Sequence, residues 1–350
     1  MHTNIDKLNG RQKMAAEVDT KKIDDYSFAD DLDSTEQVFV TENSFKSKSE
    51  ALKQSVIYVY CPKDCAEKIG SIIDDYSFDI VINDYTIVDF TNKVVCHYQS
   101  AHLTKQQRRF LVNATECGAW VEPLVSYLDD RLKYTEVRLL HSSYFLHQKA
   151  FSILSNKRTQ IAKRCVDIVS AILLLIITLP FSVVAALLIK LESPGPILFK
   201  QKRTGQYNKE FEVYKFRSMR NDAEKNGAQW ASKNDARVTK VGKFIRKTRI
   251  DEIPQLINVL QGTMSIIGPR PEREVFIKDL EKEIPYYRFR HAVKPGVTGL
   301  AQVSYPYGAS VEDAIWKHKY DIHYIKHHSA LLDIKILLMT VRTVIFGMGR

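Results

Sequence analysis

Residues 168–189 read IVSAILLLIITLPFSVVAALLI, 22 positions without one charged side chain. At about 1.5 Å per residue a straight helix of that length reaches roughly 33 Å, enough to cross a bilayer core of about 30 Å. A buried helix of a soluble protein is the competing reading, and the length argues against it. Pro180 lies near the middle, where it removes one helical hydrogen bond and clashes with the carbonyl of Ile176. The arms on either side, 168–179 and 181–189, reach roughly 18 and 14 Å, each about half the core. Lys157, Arg158, Lys163 and Arg164 precede the segment, and Lys190, Lys200, Lys202 and Arg203 follow it. A single crossing usually carries cationic bias on its cytoplasmic side only. Two cationic flanks therefore predict a re-entrant membrane helix over about 165–191 that dips in, bends at Pro180 and returns to the same face. Thr178 and Ser182 stand where they can satisfy backbone groups freed at the bend.

Outward from this segment, the 350 residues are 45% hydrophobic and 26% charged, enough for at least one core and more readily two. Fourteen Gly and eleven Pro exclude a collagenous or largely disordered chain. The five Cys include a C-x3-C at 61 and 65 but no second pair at zinc-site spacing, which excludes a disulfide-stapled secreted domain. Residues 1–50 are acidic, without apolar periodicity, and are expected to be disordered. They hold no apolar stretch of the kind a secretory signal peptide needs. From residue 55 strand-like runs at 55–60, 78–82 and 93–98 alternate with helical patterns at 64–75 and 105–117. This predicts a small parallel α/β (Rossmann-like, truncated) accessory domain over 51–150. It lacks the glycine-rich phosphate-binding fingerprints, so a regulatory or assembly role suits it better than a second active site.

Charge is unevenly spread. Residues 1–150 carry 18 Lys+Arg against 23 Asp+Glu, and residues 151–350 carry 33 against 18. Such a basic half predicts an anionic partner: nucleic acid, phospholipid headgroups or a phosphorylated substrate. Nucleic acid is set aside, because no aromatics stand at base-stacking spacing and no helix-turn-helix or RNP motif is present. In SPGPILFKQKRTG (193–205), KFRSM (215–219) and GPRP (268–271), Lys and Arg alternate with Gly and Pro, as suits phosphate oxygens held by charge-assisted bonds and close backbone approach. Arg270 stands between two prolines, which limits where its guanidinium can point. Asp251-Glu252 are acidic residues embedded in that cationic stretch. One reading makes them a helix start, with Asp251 as N-cap and Pro254 in the first turn. The other makes them chemical: a carboxylate among Arg246, Lys247 and Arg249 is kept ionised, fit to act as nucleophile or to bind a metal. Adjacent helical residues diverge by about 100°, so the two carboxylates are expected to hold different roles.

From about Lys163 onward the chain resembles the bacterial sugar transferases known as monotopic polyprenyl-phosphate phosphoglycosyl transferases, which start exopolysaccharide, capsule or O-antigen synthesis. The resemblance rests on Asp167, Pro180, SPGP (193–196), KFRSM, DEIPQL (251–256), MSIIGPRP (264–271) and KPGVTGLAQV (294–303). It implies an α+β catalytic domain over 156–350 with the re-entrant helix and interfacial amphipathic helices. It also implies transfer of a sugar 1-phosphate from a UDP-sugar to undecaprenyl phosphate, releasing UMP, with Mg2+. Asp251 matches the nucleophile of a phosphosugar–aspartyl intermediate and Glu252 its catalytic partner; either is a candidate Mg2+ ligand. Lys215, Arg217, Arg246 and Arg270 are the candidates for phosphate and substrate binding. The implied setting is the cytoplasmic face of the bacterial inner membrane among anionic phospholipids, with a second copy of the chain as a further candidate partner. The accessory domain tilts the donor toward UDP-glucose or UDP-galactose. A metal-dependent phosphohydrolase of a lipid or nucleotide diphosphate is the alternative.

Two positions depart from the family pattern: Asn208, where many relatives have Gly, and Leu179, where some have Ser. Asn tolerates a left-handed backbone. Residues 329–349 are apolar but contain Asp333, Lys335 and Arg342, which suits either an amphipathic interfacial helix or a core helix. The histidines at 318, 323, 327 and 328 lack metal-site spacing.

Overall fold

The apolar runs of the first half become strands buried on both faces. The computed structural model describes residues 56–345, apart from 77, 88, 91–92, 147–150, 224–234, 306–307 and 309; the acidic segment 1–50 lies outside the described residues. Strands β1 (Ile57–Tyr60), β2 (Ile80–Ile82), β3 (Val94–His97) and β4 (Trp120–Pro123) form one parallel sheet in the order β2-β1-β3-β4. Helices α1 (Ala66–Asp74), α2 (Lys105–Glu116) and α3 (Leu124–Leu132) cover it. Alternate residues feed the two faces: Ile57, Val59 and Cys96 meet Ile69, Ile73, Leu124 and Leu128, whereas Tyr60 and Val95 meet Leu111 and Ala114. Thr104 and Gln107 close a capping box at the start of α2. The first three strands and the first two helices lie where the sequence spacing puts them. Strand β4 escapes such reading: it is four residues long, ends in Pro123 and is exposed at its ends.

Short helices α4 (Ser142–Leu146) and α5 (Ser152–Ser155) lead to α6 (Lys157–Glu192), which starts eight residues before the expected helix and runs unbroken through Pro180. The Asn156 carboxamide caps it, accepting from the Arg158 and Thr159 amides. Its inward stripe recurs at helical period: Asp167, Ala171, Leu174 and Leu175, then Ala185 and Ile189. The first group packs on α8 (Gln255–Gln261) and the second on Phe216 and Ile245. The remaining surface, from Ile172 and Leu173 through Phe181 to Leu188, is exposed. Only 11% of its most apolar window is buried, so α6 is not the core helix of a soluble domain; by length and composition it can cross a membrane. Asp167 is itself buried, accepting from the Ser265 hydroxyl and the Ile266 amide at 3.0 Å each.

The rest of the chain alternates short elements. β5 (Leu198–Thr204) and β6 (Glu210–Phe216) form an antiparallel hairpin whose turn holds Asn208 at φ 57°, the left-handed backbone expected of it. α7 (Lys240–Lys247) and a 3-10 turn at Ile250–Glu252 precede α8. β7 (Ser265–Ile267) pairs in parallel with β8 (Gly296–Thr298). α9 (Glu274–Glu283), α10 (Leu300–Ser304), α11 (Val311–Lys326) and α12 (Ala330–Ile345) complete the fold. α12 combines both expectations for the C-terminal segment. It buries Ile336 while exposing Leu331, Ile334, Leu338 and Val341.

Candidate active site

Arg249 adopts a left-handed backbone at φ 59°, a conformation that few non-glycine residues tolerate, and this reverses the chain between α7 and the 3-10 turn. The turn then carries Asp251 and Glu252, both buried. Glu252 is embedded in cations. Its Oε1 accepts from Arg270 Nη2 at 2.5 Å and Lys215 Nζ at 3.1 Å, with Arg249 Nη1 at 3.9 Å, and its Oε2 accepts from Arg270 Nη1 at 3.4 Å. Asp251 instead lines a cavity of about 490 Å³, and its buried Oδ1 has no hydrogen-bond partner among the described residues.

Environment separates the two acids. Burial raises the Asp251 pKa from 3.8 to about 6, with the negative charge of Glu252 next; Lys215, Arg246 and Arg249 oppose the rise without cancelling it. Glu252 is equally buried, yet the charges of Arg270 and Lys215 hold its carboxyl well below the usual range. Arg246 and Arg249 favour the ionised Asp251, in the direction the sequence suggests, and burial outweighs them. Two adjacent carboxyls driven apart in this way suit an ionised structural anion and a more basic, uncommitted oxygen.

The backbone around Arg270 is clamped. Gly296 N–H donates to the Pro269 carbonyl, Arg290 Nη2 to the Arg270 carbonyl and Arg203 Nη1 to the Pro271 carbonyl, at 2.9, 3.1 and 3.2 Å. Gly296 has to be glycine, since a Cβ there would stand 2.1 Å from the Gly268 nitrogen. Arg290 is buried and paired with Asp321 at 2.6 Å. The fold therefore brings Lys215, Arg246 and Arg270 together around Asp251 as the sequence suggests.

Arg217 borders the cavity, but Nη2 donates to the Ile189 and Ser193 carbonyls at 3.2 and 2.7 Å, and Nη1 to the Pro194 carbonyl at 3.1 Å. Its terminal nitrogens help close the C-terminal end of α6, where the last carbonyls lack intrahelical donors and the Ser193 amide reaches only that of Ile189. Arg217 thus helps close the end of α6 while bordering the cavity. Arg249, which the sequence places beside Asp251, and Arg203, in SPGPILFKQKRTG, also line the cavity; sequence reading missed Arg290, which lines it too and carries no local signal.

Among the described residues no three His, Cys, Asp or Glu side chains gather as a metal cluster. The Glu252 oxygens are taken by cations, so the carboxyl that fits a Mg2+ is that of Asp251. One carboxylate plus substrate phosphates suffices for that ion.

A family model for bacterial sugar transferases matches residues 158–347, and the chain belongs to that family. It is 47% identical over 205 residues to a UDP-N-acetylgalactosamine-undecaprenyl-phosphate N-acetylgalactosaminephosphotransferase of Aeromonas hydrophila, covering 58% of this chain and 48% of that one. It is 44% identical over 184 residues to a UDP-glucose:undecaprenyl-phosphate glucose-1-phosphate transferase of Escherichia coli, covering 52% and 40%. A Caulobacter vibrioides protein named for the same glucose-1-phosphate transfer is 37% identical over 238 residues, covering 66% of this chain and 89% of that relative. The chain thus spans about half the length, or less, of the first two relatives.

Proposed function

We propose that the protein transfers a sugar 1-phosphate from a UDP-sugar to undecaprenyl phosphate at a membrane surface, releasing UMP. The observation that carries this reading is the Asp251 carboxyl, with a buried Oδ1 that has no hydrogen-bond partner among the described residues, at the wall of a cavity also lined by Lys215, Arg246, Arg270 and Arg290. An Asp251 oxygen attacks the sugar-bearing phosphorus, the bond from that phosphorus to the bridging oxygen breaks, and UMP leaves. An oxygen of the lipid phosphate then attacks the same phosphorus, which frees the carboxylate and forms the lipid diphosphosugar. Lys215 and Arg270 hold Glu252 and face the developing phosphate charge. Asp251 would hold Mg2+, which would supply positive charge against the donor diphosphate.

Anchoring follows from α6. Pro180 removes one hydrogen bond from α6, and the Thr178 hydroxyl, about 200° around the helix from it, donates to the Leu174 carbonyl at 2.6 Å. Both arms of α6 touch the catalytic part of the fold, as suits a re-entrant helix whose ends lie on one face. The shared headgroup plane is where anionic phospholipid and the acceptor phosphate meet Lys and Arg. The cytoplasmic face of the inner membrane, where UDP-sugars are made, is the setting that reading requires. The parallel sheet with helices on both faces is read as a truncated Rossmann-like unit.

The test is UMP release by purified protein in lipid, with undecaprenyl phosphate and a panel of UDP-glucose, UDP-galactose and UDP-N-acetylgalactosamine. Intact-mass analysis after incubation with the active donor is expected to reveal one phosphohexose on the native chain and none on Asp251→Asn. Release of UMP over many turnovers without the acceptor lipid would instead favour a phosphohydrolase.

A further inference from the structure

Helix α11 is buried almost all round, and its two sides face different partners. At about 100° per residue, Lys317 and Asp321 lie roughly 200° from Lys319. On the Lys319 side, Lys319 Nζ stands 2.8 Å from Glu136 of the α/β unit and 4.4 Å from the Trp316 ring centroid; the Tyr76 hydroxyl also donates to Glu136. The Thr135 amide donates to the Lys319 carbonyl, Ile315 packs on the core of the α/β unit, and Lys326 Nζ pairs with buried Asp129 at 2.8 Å. On the opposite side Asp321 holds Arg290, which holds the Arg270 carbonyl, and Arg270 holds Glu252. Trp316 also stacks on Tyr305, a residue of the cavity wall, at 5.9 Å and 12°.

Glu136 is fully buried and Lys319 is 5% exposed; the half-exposed Arg138 of the same unit also holds Glu136, its Nε donating to Oε1 at 2.9 Å. A buried pair of this kind adds little net stability compared with an apolar replacement, and its best-attested use is to fix one arrangement. We propose that Glu136 is a positioning residue for the transfer reaction, setting the rotation of α11 through Lys319 so that Arg290 and Tyr305 hold the donor-binding wall. The α/β unit is then a working part of the active site that makes no contact with substrate. This inference rests on the transfer reading above for its kinetic arm only.

The experiment compares the full chain with its Glu136→Gln variant, which keeps side-chain shape and removes the charge. Donor KM is expected to rise about fivefold or more while the KM for undecaprenyl phosphate stays unchanged, a split that general loss of folded protein would not give. Hydrogen exchange at the amides of residues 287–292 is expected to quicken about tenfold, with exchange in β1 and β3 unchanged. If Glu136→Gln does not fold, the pair Glu136→Gln/Lys319→Met, which leaves no buried charge unmatched, is measured in its place with the same expectation. Unchanged donor KM, or unchanged exchange at 287–292 in the folded variant, overturns the proposal. Should the native chain release no UMP, the transfer reading falls and the exchange result alone decides the positioning role.

Discussion

At Asp251 the chemistry and the stability of the fold pull in opposite directions. Its carboxyl titrates near 6 in the folded chain against 3.8 ordinarily, so folding tightens its hold on a proton. Its stabilising contribution is complete below about pH 4 and is lost as pH rises through about 6. Nucleophilic attack needs the opposite, the ionised form. The rate of adduct formation from a UDP-sugar is therefore expected to fall about tenfold per pH unit below 6, read by intact mass at short times. A flat profile from pH 5 to 7.5 would deny Asp251 that role. Asp251→Asn removes the ionisation, so its melting temperature is expected to decline less between pH 4 and 7 than that of the native chain. Glu252 behaves differently, because its low pKa depends on Arg270 and Lys215. Arg270→Ala leaves Glu252 with one fewer cation, and the acid limb of the profile is expected to move upward, which the same adduct assay would follow.

Among the elements, legibility tracked how local the signal was. The sheet and its first helices follow from apolar alternation within ten or twelve residues. Asp251, Glu252 and Arg270 stood out because each sits inside a short stretch whose charge pattern is itself unusual. Arg217 looked equally like a phosphate ligand, since nothing near KFRSM reveals that the open carbonyls of a helix ending at Glu192 come to rest beside it. Asp167 with Ser265, 98 positions apart, and Arg290 with Asp321, 31 apart, needed the fold to bring them together. Arg217→Ala strips the Ser193 carbonyl of its donor and leaves the Ile189 and Pro194 carbonyls only the Ser193 amide and the Asn221 carboxamide. It is expected to destabilise the chain by about 2 kcal/mol, with Arg217→Lys failing to restore it because an ammonium cannot fork between them. Pro180 governs the same element. Single cysteines at Lys157 and Lys200 are expected to react with an impermeant thiol reagent from one side of the membrane only, and Pro180→Ala is expected to send a fraction of Lys200 labelling to the other side. Opposite-side labelling in the native helix would mean that α6 spans.

For the molecule as a whole the question is how it sits on the bilayer, and α12 gives an independent measure. Lys163 Nζ of α6 and Asp333 of α12 pair at 2.7 Å, so α12 sets out beside the start of the membrane helix. Its exposed arc places Leu331, Ile334, Leu338 and Val341 together, with Lys335 and Arg342 along one edge. Long cationic side chains at the margin of an apolar arc can lay their stems over it and keep their charges at headgroup level. On α8, Ile257 and Leu260 are also partly exposed, and the Arg164 guanidinium of α6 donates to the Val259 and Leu260 carbonyls. Three elements tied to one another thus present apolar surface, which a bilayer would cover and a soluble setting would leave wet. A polarity-sensitive fluorophore on Leu338→Cys is expected to shift to the blue in vesicles, more strongly than on Lys335→Cys, in a chain freed of the exposed native thiols at Cys117 and Cys165. The difference is expected to survive high salt, since burial of apolar surface and not headgroup charge holds α12 in place. Equal, water-like emission at both positions would leave α6 as the sole anchor and would put α12 clear of the lipid.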